Sequence, residues 1–249
     1  MGRLSRYHHK LFNWHSEHFF DFNKHLDYVT LRYLFACFDL PVAFIEITDL
    51  GSRHFSYFSY SHRVDQAHVN SSRLAFGSVR KPNDALIAAR PVLEKRAIDV
   101  DNLLNAHPGL SFYGIGVDVE EELFKLYVRC DDVNVFQNDQ PDLYRAKPKA
   151  VDPEGLFSLT FKNSDVVERK LYFYPPVVTT VLPEGSKRQV VMATTERHAV
   201  NQWDVDDAMV WRSKLNAAAK SVLARYDDVG IQLDTIAYDD ADHATLYFP

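Results

Sequence analysis

The spacing of hydrophobic and polar positions changes several times along the chain, and each change marks an element. Over residues 5 to 36, Leu11, Phe12, Trp14, His15, Phe19, Phe22 and Leu26 recur near every third or fourth position, and Leu31, Leu34 and Phe35 continue the series toward Pro41. That period predicts helices with one apolar face. From residue 42 the period shortens to two, which places alternate side chains on opposite faces of a strand. AFIEIT, HFSYFSYSH (His54 to His62) and SSRLAFGSV (from Ser71, with Arg73 on one face) read as strands. Leu86, Ile87, Val92, Leu93, Ile98 and Leu103 then predict a helix over 83–105, interrupted at Pro91 and stopped by His107-Pro108-Gly109.

Hairpins follow. In FYGIGVDVEEELFKLYVRC (Phe112 to Cys130) two strand-like runs meet at an acidic turn, and the return run alternates cleanly. Leu126 and Val128 share one face, and Lys125, Tyr127 and Arg129 the other. Leu156 to Phe161 and Val167 to Tyr174 flank a turn at Lys162-Asn163-Ser164-Asp165. Their return run, ERKLYFYP, repeats the design: Leu171 and Phe173 on one face, Lys170, Tyr172 and Tyr174 on the other. A third hairpin is expected from Val177 to Leu182 and Gln189 to Thr195 around Pro183-Glu184-Gly185-Ser186. A helix is expected from an Asp204 N-cap to Tyr226, with Gly230 beyond its end. Ile231 to Tyr238 and Thr245 to Phe248 close the chain as a last hairpin, with Tyr247 between Leu246 and Phe248.

Consecutive hairpins favour antiparallel pairing, because parallel neighbours need long crossovers. The expected class is therefore α+β: an antiparallel barrel of about ten strands, its outer face covered by helices, as one domain over residues 1–249.

Composition narrows the setting. Across 249 residues the chain is 46% hydrophobic and 25% charged, an ordinary globular balance. A net charge of -6 argues against wholesale nucleic-acid binding. Two cysteines, Cys37 and Cys130, do not make a disulfide scaffold and suit a reduced cytoplasmic setting. No run of 18 apolar residues predicts a membrane span, MGRLSRYHHK lacks a signal-peptide apolar region, and Arg6 breaks the myristoylation pattern. His8, His9, His15, His18 and His25 cluster near the start, with His15 and His18 one turn apart beside Glu17. No second ligand pair follows at zinc spacing, so helix surface is the expected role and no metal is expected.

Lys125, Arg129, Lys170 and Arg73, beside Tyr127, Tyr172, Tyr174 and Tyr247, carry the candidate chemistry. On periodicity alone these faces suit a solvated sheet surface or the wall of a chamber. In a chamber, cations held in low dielectric favour a polyanion such as a diphosphate. Aromatic faces beside them stabilise a carbocation. No phosphate-binding G-x-x-x-x-G-K-[ST] loop occurs, Gly114-Ile115-Gly116 lacks the third glycine of a dinucleotide loop, and no G-x-S-x-G elbow is present. The acidic pairs Asp131-Asp132, Asp206-Asp207, Asp227-Asp228 and Asp239-Asp240 lack the third Asp of a DDxxD magnesium motif.

In SSRLAFG, LEKRAIDVDNLL…FYGIGVDVEEELFKLYVRC, ERKLYFYP and ATLYFP, the chain resembles the ABBA-type aromatic prenyltransferases, in particular the short peptide-modifying branch of cyanobactin pathways. The resemblance runs in order from about Ser71 to the C-terminus. It implies αββα repeats around a central chamber, and transfer of an isoprenyl group, dimethylallyl above all, from its diphosphate to a Tyr, Trp or Arg side chain of a ribosomally made, cyclic peptide. Mg2+ is not expected to be required. The expected partners are the donor diphosphate and the peptide, with no nucleic acid and no membrane, and the protein is expected to be a monomer. By the same resemblance Arg73, Lys125 and Lys170 hold the diphosphate, Tyr127, Tyr172 and Tyr247 shield the cation, and Arg129 and Tyr174 share those faces. The family's usual acceptor base has no clean match in RHFSYFSYS; Glu46 and Asp118 are the substitutes. The alternatives are a small-molecule aromatic prenyltransferase of the same fold and a non-catalytic β-barrel binding protein.

Overall fold

A computed structural model of the protein describes residues 57–78, 82–107, 109–118, 120–177, 181–195, 199–227 and 232–248. The helices expected over 5–36, the AFIEIT strand and Glu46 lie outside these residues. Ten antiparallel strands form a closed barrel in the order β1-β10-β9-β8-β7-β6-β5-β4-β3-β2. They are β1 Tyr57–Asp65, β2 His68–Gly77, β3 Leu110–Asp118, β4 Leu123–Cys130, β5 Gly155–Lys162, β6 Asp165–Phe173, β7 Ser186–Thr194, β8 Val200–Val205, β9 Thr235–Tyr238 and β10 His243–Phe248. Helices α1 (Pro82–Glu94) and α2 (Val100–Asn105) follow β2; α3 (Phe136–Asp139) and α4 (Pro141–Tyr144) follow β4; α5 (Ala208–Lys214) and α6 (Ala217–Asp227) follow β8.

Alternation explains how these layers fit. Outward side chains of the strands, among them Phe76, Ile115, Val117, Leu126, Leu246 and Phe248, pack with Leu93 of α1, Trp211 of α5 and Val222 of α6 into one buried cluster. A second cluster joins Phe157, Leu171 and Phe173 to Phe136 of α3 and Leu143 of α4. The one outward histidine of β1, His62, is buried but satisfied: its Nε2 lies 2.6 Å from the Tyr226 hydroxyl of α6. The hydrophobic core is thus the annulus between barrel and helices, and the other face of every strand is left to the lumen.

Three expectations are corrected. The helix over 83–105 is two: α1 runs through Pro91 to Glu94, and the chain breaks before the Asp99 side chain caps α2 by accepting from Asn102 N. Pro91 removes one helical hydrogen bond, but buried Val92 and Leu93 hold the turn against the barrel. No strand covers the described residues of Val177 to Leu182. Ser186–Thr194 pairs instead with β6 on one side and with β8 on the other. The helix expected from Asp204 starts later, because Asp204 belongs to β8 and Asp207 is the N-cap, its side chain accepting from Met209 N. Asp206 and Asp207 follow Asp204 so closely that capping chemistry was legible but its position was not.

Two glycines of β3 make the lumen possible. β3 shifts register between Phe112 and Gly114, and a Cβ at Gly114 would lie 1.9 Å from the Phe76 carbonyl oxygen. A Cβ at Gly116 would press on the Tyr127 ring at 3.1 Å and on the Leu74 carbonyl at 3.0 Å. Gly114→Ala therefore meets backbone that cannot move aside, and it is expected to destabilise the protein by about 3 kcal/mol in urea unfolding. Unchanged stability would contradict this packing.

Candidate functional site

The lumen is lined by polar side chains projecting from almost every strand. Arg73 comes from β2, Lys125 and Tyr127 from β4, Ser158 from β5, Lys170 and Tyr172 from β6, and Tyr247 from β10; all border one cavity of about 320 Å3. Arg73, Lys125, Lys170 and Tyr247 also border a neighbouring cavity of about 500 Å3 that opens past Asp65, Glu121 and Asp239. Both volumes fall in the range of about 300–1,000 Å3 usual for ligand sites. The two spaces meet at the cations. On β4 and β6 each tyrosine follows its lysine by two residues in the same direction, so Tyr127 and Tyr172 form a layer on the far side of the cations from the Asp65 mouth.

Charge is unevenly matched in this layer. Arg73 Nε lies 3.2 Å from Asp118 Oδ2, and Lys170 Nζ lies 3.1 Å from Glu168 Oε2. Asp118 is 1% exposed, and its Oδ1 accepts from Asn70 Nδ2 at 2.9 Å. Neither Arg73 Nε nor Asp118 Oδ2 completes a hydrogen bond, so the pair is close but poorly aligned. Lys125 is 9% exposed and has no ion pair among the described residues. Its burial, and the positive charges of Arg73 and Lys170, depress its pKa well below the usual lysine value. A buried cation pushed toward neutrality by its own neighbours is poised for an anion.

The tyrosines form the apolar counterpart. Tyr172 and Tyr247 pack on Met192, Val200 and Ala237, a small hydrophobic cluster inside the barrel. Burial raises the Tyr172 pKa well above that of an ordinary phenol, with Tyr127 and Tyr247 adding to it and a Ser158 hydrogen bond opposing. Burial likewise raises Tyr247 against the pull of Arg73. Both therefore stay neutral, presenting ring faces and hydroxyls rather than phenolates.

The structure gathers Arg73, Lys125, Lys170, Tyr127, Tyr172 and Tyr247 as expected from the sequence, with Asp118 beside them. Arg129 is not gathered: it points to a third space of about 560 Å3 near Glu154 and Tyr174, and its Nη2 pairs with Glu154 Oε2 at 2.7 Å. Tyr174 lies at the far end of the tyrosine layer, its ring under the Arg188 guanidinium at 4.7 Å. The sequence reading missed Tyr113, Arg188, Gln202 and Asp204, all lumenal. Tyr113 was legible from its strand, whereas Gln202 and Asp204 needed β8 to be recognised. The Cys130 thiol is pushed up to about 12 mainly by burial, which disfavours the thiolate. Among the described residues there is no cluster of metal-ligating side chains, and no helix is long and apolar enough to cross a membrane.

Comparison with protein-family models finds no match for the chain, and comparison with curated sequences finds none either.

An unmatched buried ammonium lowers stability, since desolvation opposes the charge with no partner to repay it. Lys125→Met is expected to leave unfolding free energy unchanged or raise it by about 1 kcal/mol. Its outward neighbour behaves oppositely, and Leu126→Ala should cost about 3 kcal/mol. Urea titration of both variants checks the contrast; a large loss for Lys125→Met would make Lys125 a structural residue.

Proposed function

We propose that the protein is an ABBA-type prenyltransferase that moves an allylic isoprenyl group, dimethylallyl above all, from its diphosphate to a side chain of a peptide. The observation that carries this reading is the pairing of an unmatched buried cation with a neutral aromatic wall. Lys125, with Arg73 and Lys170 around it, borders the same chamber as Tyr127, Tyr172 and Tyr247. A diphosphate needs the first set and the allylic cation formed by its departure needs the second. The alternation of helices with strand hairpins around a closed sheet supports the family.

In this reading Arg73, Lys125 and Lys170 bind the donor's diphosphate and stabilise the negative charge that grows as the C1–O bond lengthens. The tyrosine rings face the electron-poor C1 and its allyl system, and Leu156 and Val190, which border the same chamber, receive the methyl groups. The barrel wall withholds water, which would otherwise capture the cation, everywhere except at the mouths. Asp118 orients Arg73 through its close carboxylate, and Glu168 does the same for Lys170.

Titration calorimetry of the full chain with an allylic diphosphate analogue that cannot ionise, in EDTA, is expected to show binding. Mass spectrometry should then detect a peptide gaining one isoprenyl unit from dimethylallyl diphosphate. Lys125→Ala and Lys170→Ala should abolish both results while circular dichroism is retained. Binding without transfer to any peptide, but with transfer to free phenols or indoles, would assign a small-molecule acceptor. Binding without transfer to either would leave an anion-binding barrel, and full activity in both variants would sink the assignment.

Donor binding should also depend on pH. A bound anion lifts the depressed pKa of Lys125, so the complex holds a proton that the empty site has released wherever pH exceeds the free-site value. Affinity is fully present below that depressed value and declines as pH rises from it toward the value in the complex. Calorimetry in buffers of different ionisation enthalpy should register proton uptake in the wild type that is missing in Lys125→Arg, whose guanidinium stays charged with or without the anion. Equal heats after correction in both proteins would count against an anion at Lys125.

A further inference from the structure

The family's usual acceptor base has no counterpart on β1, whose lumenal side chains near the chamber are Ser59 and Ser61. Asp118 is occupied by Arg73 and Asn70 on the cation side. Another carboxylate stands across the lumen. One register row runs Arg73↔Ser61, Ser61↔Tyr247, Tyr247↔Thr235, Thr235↔Asp204 and Asp204↔Arg188. Strands lie about 4.8 Å apart, so Asp204 is about 10 Å from Tyr247 along this row. In a ring of ten strands it is four strands from Arg73, nearly opposite.

Asp204 is half-buried, borders the tyrosine chamber, and makes no ion pair among the described residues. Its register partner Arg188 is stacked on Tyr174 instead. Thr235 Oγ1 sits between two carboxylates, 3.4 Å from Asp204 Oδ1 and 3.1 Å from Asp234 Oδ2, and exposed Asp234 borders the same space. Lys125, unmatched and buried, projects into this cavity from the other side and marks it independently as a ligand site.

Given that reading of the site, we propose that Asp204 takes the proton shed by the acceptor, and that the acceptor side chain approaches from the mouth that Asp204 shares with Asp234. The argument is one of opposite faces. The diphosphate lies with the cations and the tyrosines lie beyond them, so the donor's C1 points toward the Asp204 end. A nucleophile must meet C1 on the side away from the leaving group. The C1–O bond breaks with its electron pair departing on the diphosphate. The acceptor atom forms the new bond to C1, and its proton passes to the Asp204 carboxylate and then through the mouth to solvent. Burial raises the Asp204 pKa above the usual carboxylate range, and Asp234 adds to this, against Arg188, Lys187 and the Thr235 hydrogen bond. Those groups and Tyr174 are the titratable and charged side chains that face it. A base with a raised pKa holds a transferred proton better than an ordinary aspartate does.

The test compares wild type, Asp204→Asn and Asp204→Glu as full chains. One measurement is calorimetric binding of the non-ionising donor analogue. The other is the rate of isoprenyl transfer to a mixture of cyclic and linear peptides carrying Tyr, Trp and Arg, between about pH 4 and 9. Asp204→Asn is expected to keep donor affinity within about twofold, to lose transfer by about 100-fold or more, and to lose the acid limb of the pH profile. Asp204→Glu should restore the acid limb and part of the rate. Transfer by Asp204→Asn within about threefold of wild type, with the acid limb unchanged, would overturn the assignment. So would an Asn variant whose loss is explained by weakened donor binding. A wild type that binds no analogue and modifies no peptide would instead overturn the prenyl-transfer reading, and this inference with it.

Discussion

Pairing of β1 with β10 closes the sheet, and the rest of the molecule follows from that closure. An open ten-stranded sheet would present two unpaired edges and could twist freely. Closed, it has an inside, and the two-residue period of every strand then separates a helix-covered face from a lumenal one. Leu126 and Lys125 are neighbours in sequence, yet one is in the hydrophobic annulus and the other in a chamber with a different dielectric and a different purpose. Six aligned residue pairs from Tyr60↔Phe248 to Asp65↔His243 hold this seam. The outer face of the same two strands is clamped by Tyr226 of α6, which stacks on Phe248 at 3.4 Å between ring centroids and reaches the His62 ring.

Inside, electrostatics rather than packing sets the character of the wall. Arg73 and Lys170 each have a carboxylate within reach, Asp118 and Glu168, so they are held in place at moderate cost. Lys125 has no ion pair among the described residues, and burial, Arg73 and Lys170 oppose its charge more than Asp118 and Glu168 support it. Such an arrangement is poor for folding and good for recognising an anion, the usual sign of a site built for a ligand rather than for the core. The tyrosines beyond it need no carboxylates, because burial keeps them uncharged.

Much of this was legible from the sequence, for identifiable reasons. The hairpins at Phe112 to Cys130 and Leu156 to Tyr174 announce themselves because apolar outward residues alternate with polar inward ones, and that alternation is local information. Arg73, Lys125, Tyr127, Lys170, Tyr172 and Tyr247 inherit their positions from it. β8 was missed because VNQWDV carries polar Gln202 and Asp204 on its lumenal face and runs directly into capping aspartates, so nothing local separates strand from helix start. Met192, Val200 and Ala237 were hidden differently. They are apolar on the inward face, and only barrel closure tells an inward apolar residue from an outward one. Across-the-lumen relations such as Arg73 to Asp204 depend on four successive strand registers, none of which a linear reading contains.

The unsatisfied atoms in the cation layer carry a consequence for the protein's life in a cell. Among the described residues Arg73 Nε and Asp118 Oδ2 are buried without hydrogen bonds and Lys125 is buried without an ion pair, so the cation layer is poorly satisfied by the protein itself. An anion in the chamber would finish it, and any species bound to the folded state but not the unfolded one deepens stability with the logarithm of its concentration. A protein whose core is completed by a bound ligand is turned over more slowly when that ligand is plentiful. The steady-state amount of this protein would then track its ligand's supply, a feed-forward coupling that needs no regulator beyond proteolysis of unfolded chains.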